Sequence, residues 1–122
     1  MTDNPRSRDQ QREAVQALIA SICATGATVE SYGGNCPVQI EGTLPSPDGE
    51  MEYYFRARGR HWAIYIGPGA QVLRESSLFR REAYQPQGMK EEQLRFAAGW
   101  MDEDVALGFV KQSLEDWTRQ QR

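Results

Sequence analysis

Histidine occurs once in this 122-residue chain, at His61, and cysteine twice, at Cys23 and Cys36. That scarcity limits the chemistry on offer. Zinc sites need paired cysteine or histidine ligands a few positions apart, and two thiols 13 residues apart with a single imidazole do not supply the pattern. A cysteine–histidine nucleophile would need a thiol beside His61. Cys23 belongs to an apolar helical pattern and is expected in the core, whereas His61 is expected on the opposite sheet face, paired across a hairpin with Arg58. Cys36 could reach His61 only if the first long strand extended to the hairpin end.

Phosphate loops are missing too. "GPG" at 67–69 and "GG" at 33–34 have neither the Walker A lysine nor dinucleotide-fold spacing, so they are turns. The acids of "DEDV" at 102–105 suit the first turn of a helix better than a magnesium site, and Glu91 with Glu92 reads as a solvated pair. No motif supports paired-carboxylate catalysis. The expectation is a protein that is not an enzyme, with no catalytic, cofactor-binding or metal-ligating residue.

Lysine is rare, 2 residues against 12 arginines, a bias that genome composition can produce. A net charge of −3 with a pI near 5.2 gives the whole chain no electrostatic reason to seek nucleic acid or an anionic membrane. No apolar run approaches the roughly 18 residues of a membrane span. The opening "MTDNPRSRDQQRE" lacks the apolar segment of a secretory signal. The chain is therefore expected to be cytoplasmic, without a membrane partner. Its two thiols are expected to be reduced, although one disulfide would be compatible with the count.

What is present is periodicity. Residues 1–122 have the length of one domain, with 1–6 expected to be a disordered tail. From Ser7 to about Ala24 the apolar residues Ala14, Val15, Leu18, Ile19, Ile22 and Cys23 recur at helical spacing. Ser7 is the expected N-cap, and Gly26 is placed to end the helix. "SYGGNCP" breaks the chain.

Three alternating runs follow. They cover Cys36–Leu44, Tyr53–Arg58 and His61–Ile66, with "PSPDGE" as the first turn and Gly59–Arg60 as the second. Glycine in the first central position suits a type II′ hairpin turn. A two-residue turn sets Arg58 opposite His61, Ala57 opposite Trp62, Phe55 opposite Ile64 and Tyr53 opposite Ile66, so every apolar pair shares a face. A slip of one residue would mix the faces. Extending the register sets Ile40 opposite Phe55, Gln39 opposite Arg56 and Glu41 opposite Tyr54.

Residues 71–85 fit either a helix carrying Val72, Leu73, Phe79 and Tyr84 or a fourth strand with Phe79 inward and Arg80 outward. The strand is the preferred reading. "QPQGMKEEQ" is a polar connection with room for one helical turn. A last helix begins at Asp102, its expected N-cap, and buries Leu107, Val110, Leu114 and Trp117, with outer pairs Lys111–Glu115 and Glu115–Arg119. The predicted fold is a two-layer α+β domain: N-terminal helix, antiparallel meander of three or four strands, C-terminal helix.

The second sheet face is then left for function. Tyr54, Arg56, Arg58, Arg60, His61 and Tyr65 lie on it or at its turn, and Arg74, Arg80 and Arg81 would extend it if a fourth strand joins. Arginine and tyrosine are enriched at protein-interface hot spots, which makes another protein the expected partner. A stoichiometric inhibitor or adaptor from a phage or mobile element, such as an anti-defence protein, fits that description. The alternative is RNA or single-stranded DNA, with arginines on phosphates and tyrosines stacking on bases. Glu41, Glu52, Glu75 and Glu82 lie near the same arginines and favour a charge-balanced face over a nucleic-acid groove. Oligomeric state is not readable from these patterns.

At "NCPVQIEG", "YYFRARGRHWAIYIG" and "AAGWMDEDVALGFV" the chain resembles short bacterial hypothetical proteins in which an "FYFRAR…W" hairpin precedes a "GWM" segment and an acidic-capped final helix. The resemblance covers 35–67 and 97–117. It implies the same α+β layout and implies no activity, cofactor or site residue.

Overall fold

The computed structural model describes residues 7–69 and 77–121. Helix α1 (Arg8–Cys23) begins where predicted. The Ser7 hydroxyl accepts from the Gln10 N–H at 3.1 Å while the Gln10 side chain accepts from the Ser7 N–H at 3.0 Å, a reciprocal capping box. The predicted tail, residues 1–6, lies outside the described residues.

Five strands follow as an antiparallel sheet in sequence order: β1 (Ser31–Gly33), β2 (Val38–Ser46), β3 (Gly49–Arg58), β4 (His61–Gly67) and β5 (Leu78–Ala83). The meander thus has one strand more than the upper count expected. The additional strand, β1, comes from "SYG", whose glycine-rich sequence reads as a chain break. It is held only because it pairs with β2, Tyr32 opposite Ile40. Strands β2 and β3 also run further than their apolar alternation, through Pro45–Glu50 and Ser46–Gly49, which leaves a two-residue turn at 47–48.

The predicted register holds at each stated position. Arg58 faces His61, Ala57 faces Trp62, Phe55 faces Ile64 and Tyr53 faces Ile66, while Ile40, Gln39 and Glu41 face Phe55, Arg56 and Tyr54. Gly59 has φ +63°, a conformation that the first position of a type II′ turn requires and that glycine adopts without a Cβ penalty.

Residues 71–76 lie outside the described segments, and the choice of strand is met at 78–83. Phe79 packs against the core as expected. Arg80 does not point to the outer face. Tyr65 pairs with Leu78 and Ile64 pairs with Arg80, so Phe79 is the extra residue of a β-bulge, and Arg80 returns to the helix-covered side. There it donates to Asp116 on the last helix at 2.8 Å.

A short helix α2 (Glu91–Leu94), a 3₁₀ turn (Ala97–Trp100) and helix α3 (Glu103–Gln120) complete the chain. Helices α1 and α3 pack together over one sheet face. Val15 and Ile22 of α1, with Leu107, Val110 and Leu114 of α3, close over Val38, Ile40, Phe55, Ala57, Trp62 and Ile64. Trp117, expected in that stripe, is half-buried. Cys23, also expected in the core, is exposed along with Cys36. Cys23 is the last residue of α1, where the chain is already turning away, so its helical phase no longer brings it inward.

Close approach explains one glycine. A Cβ on Gly42 would lie 2.1 Å from the Thr28 carbonyl oxygen and within 2.8 Å of the Tyr53 ring. Space vacated by that missing side chain lets the Tyr53 hydroxyl donate to Thr28 O at 2.7 Å, and burial pushes the Tyr53 phenol well above its ordinary pKa.

No helix among the described residues is long and apolar enough to cross a membrane.

Candidate functional site

The six residues singled out from the hairpin divide in the folded chain. Tyr54 is 3% exposed, a correction to its expected place on a wet face. Among the described residues, the Tyr54 hydroxyl accepts from Gln39 Nε2 at 3.0 Å and its ring lies 6.1 Å from that of Tyr65. Arg56 is half-buried, and its Nε is sequestered with no hydrogen-bond partner among the described residues, as is Glu52 Oε2 two positions beyond Tyr54.

Arg58, His61 and Tyr65 remain accessible, Arg58 as an exposed residue and the other two in part. Arg60 forms a salt bridge with Glu91. Arg81 lies opposite Ala63 on the outer face, Arg80 is tied to Asp116, and Arg74 lies outside the described residues. The basic face expected from sequence therefore keeps few free guanidinium groups.

A second constellation was missed. Phe96 and Trp100 are 60% and 63% exposed, on either side of Ala97, Ala98 and Gly99, which are all buried. The Ala98 N–H donates to Gly59 O at 3.0 Å, and Gly99 O accepts from the Cys36 N–H at 2.8 Å. A Cβ on Gly99 would meet Cys36 Sγ at 2.9 Å, so the turn lies flat against residue 36. The backbone between the two aromatic residues is locked, and their side chains project from it. The turn also docks on the β3–β4 hairpin tip, which brings Arg58, Arg60 and His61 to the same end of the molecule as Trp100.

Trp100 separates two clefts. One, of about 510 Å³, lies between it and Tyr32, with Arg8 and Arg12 of α1 on one side and Asp102 and Glu103 on the other. The second, of about 350 Å³, has Tyr84, Phe96 and Trp100 as its aromatic walls. Tyr84 is fixed from behind: its N–H donates to Arg60 O at 2.8 Å and its ring meets Phe109 edge-on at 6.1 Å. Phe109 in turn stacks on Trp62 at 4.7 Å, and Trp62 touches Phe55 at 5.6 Å, so an aromatic row runs from the core to the cleft wall. Burial first, then the Asp102 and Asp104 carboxylates, raise the Tyr84 pKa.

Asp102 does occupy the N-cap position of α3, but its side chain makes no capping hydrogen bond and opens onto both clefts. On the far side of α3, Lys111 pairs with Glu115 at 2.7 Å as predicted, whereas Arg119 bonds Asp116 instead of Glu115. Asp116 also receives Arg80 and Gln112, and the Arg80 hydrogen bond foremost holds its carboxyl below the ordinary carboxylate value, against the opposing effect of burial.

Among the described residues no group of three or more His, Cys, Asp or Glu side chains is arranged to hold a metal ion. The aromatic turn could have been noticed in "FAAGW", where two large aromatics bracket three small residues, although that pattern alone does not say which side faces water. No family model matches the chain, and neither a curated protein nor a solved structure matches it.

Proposed function

We propose that this protein is a non-enzymatic protein-interaction module whose principal contact is the ridge formed by Phe96 and Trp100, with the hairpin tip residues Arg58, Arg60 and His61 at its margin. The observation that carries this reading is a pair of large aromatic side chains held in water by a buried, hydrogen-bonded turn. Exposing a tryptophan and a phenylalanine forgoes roughly 1.5–3 kcal/mol of burial for a side chain of this size. Aromatic anchors on a rigid backbone recover that energy when a partner covers them, and little ordering entropy is lost because the turn is already set.

A small interaction domain of this kind suits a stoichiometric inhibitor or adaptor, such as phages and mobile elements encode against host defence. Protein is favoured over RNA or single-stranded DNA because the groups that would grip phosphate and stack bases are committed elsewhere: Tyr54 is buried, Arg60 pairs with Glu91 and Arg80 with Asp116. Affinity capture from a native lysate, with and without nuclease, tests both readings. The expected result is a protein retained by the wild type, insensitive to nuclease and lost with Phe96→Ala/Trp100→Ala. Capture lost on nuclease treatment would replace the protein reading with the nucleic-acid one, which also predicts affinity falling steeply with salt. Capture unaffected by the double substitution but abolished by Arg58→Ala/His61→Ala/Tyr65→Ala would move the site to the sheet face.

A further inference from the structure

The cleft behind Trp100 combines features that select for a particular guest. Its floor is apolar, with Ala97 and Met101 almost fully buried. Its walls are the rings of Tyr84, Phe96 and Trp100, and Asp102 supplies a carboxylate that has no salt bridge or side-chain hydrogen bond among the described residues. No lysine or arginine lines it. Aromatic faces carry negative electrostatic potential at their centres, so three rings beside an unpaired carboxylate form a receptor for an organic cation.

We propose that this cleft receives an arginine side chain of the protein partner, a proposal that rests on the protein-interaction reading above and names what the partner inserts. Arginine is favoured over lysine by shape. Two of the walls are more than half exposed, so the cleft is open-sided, and a flat guanidinium can stack on an open ring while its N–H fork reaches the carboxylate. A compact, strongly hydrated ammonium gains less from walls that do not enclose it.

One opposing effect needs weighing. The cleft borders the N-terminus of α3, where the helix dipole places about half a positive charge. Asp102, Glu103 and Asp104 all lie at that terminus and outweigh it several-fold. Asp102 and Asp104 also act on the Tyr84 hydroxyl, so their field does reach the opposite wall.

The test is an amide-resolved NMR titration of the full chain with N-acetyl-arginine amide, N-acetyl-lysine amide and N-acetyl-citrulline amide, citrulline being a near-isostere of arginine without its charge. Trp100→Phe identifies the Trp100 indole N–H signal. The expected result is saturable shifts of that signal and of the Asp102 amide with the arginine compound, with affinity on the order of millimolar. The lysine compound binds more weakly and the citrulline compound causes no saturable shift. Asp102→Asn, which keeps a good N-capping residue, weakens arginine binding about three- to fivefold, as an exposed charge contact warrants. Trp100→Ala abolishes it. Equal binding of citrulline, no saturation with arginine, or an affinity unmoved by Asp102→Asn would overturn the proposal, and equal binding of lysine would overturn the choice of arginine. The two readings fail separately. Partner capture that depends on Trp100 without arginine binding removes only the cationic guest, and arginine binding with Trp100-independent capture removes only the partner reading.

Discussion

Phe55 and Tyr54 are neighbours on opposite faces of the sheet, and both are hidden from water. On one, β2, β3 and β4 present Ile40, Phe55 and Ile64 to α1 and α3, which cover them completely. On the other, Tyr54 is almost as inaccessible as Phe55, its neighbour in sequence. Gln39 and Tyr65 of the neighbouring strands stand against it. Strand alternation assigns a residue to a face, but exposure depends on how tall its neighbours stand. An outer-face tyrosine beside a glutamine and a second tyrosine is here almost as inaccessible as a core phenylalanine.

Substitutions can test that contrast. Phe55→Ala removes a ring from the helix-covered face and should cost about 3–5 kcal/mol in urea unfolding, the usual range for a fully buried phenylalanine. Gly42→Ala should come close to it. Overpacking ordinarily costs about 1–3 kcal/mol, and here the added methyl meets the Thr28 carbonyl, which cannot swing aside as a side chain would. Loss of less than about 1 kcal/mol would mean that the segment around Thr28 yields easily.

Tyr54→Ala decides whether the outer face is structurally committed. A buried tyrosine predicts a loss of about 2 kcal/mol, whereas a wet one would stay within about 0.5 kcal/mol, so equilibrium unfolding separates the two. Further toward the edge, Asp116 joins β5 to α3 through Arg80. Its carboxyl has a lowered pKa in the folded state, so its contribution is complete above the unfolded-state value and is lost as pH falls through the folded-state value. Wild type should therefore lose more stability than Asp116→Asn on acidification below about pH 4, measured as urea midpoints across pH. Equal acid sensitivity would show that this ion pair contributes nothing measurable. The smallest effect is expected at the ridge. Trp100→Ala should shift stability by no more than about 0.5 kcal/mol, because the ring is mostly in water and its backbone is held by other groups.

The legible part of the fold was the part governed by local periodicity and turn chemistry. Gly59 and the alternation around it led to each pairing between β3 and β4, because a slip of one residue would have sent Phe55 and Trp62 to water. Ser7 marked the start of α1 for a similarly local reason: its hydroxyl answers an N–H three residues away. The failures were positions whose neighbours come from elsewhere in the chain. Strand β1 exists by pairing with β2, the bulge at Phe79 turns Arg80 back toward α3, and Cys23 lies just where α1 leaves the core.

The candidate site divides along the same line. Arg58, His61 and Tyr65 could be assigned to an accessible face because two-residue alternation is intrinsic to an extended chain. That Tyr54 on the same face is hidden beside Gln39 and Tyr65 depended on neighbouring strands, and that Phe96 and Trp100 are displayed while the residues between them are buried depended on contacts among the 3₁₀ turn, the hairpin tip and Cys36. By itself the sequence determined how β2, β3 and β4 pair and in what register, and the turn that joins β3 to β4, since those follow from the spacing of apolar residues and the conformational freedom of glycine. Only the tertiary structure decided which aromatic residues meet water, because exposure is set by atoms that distant segments bring, or fail to bring, into van der Waals contact.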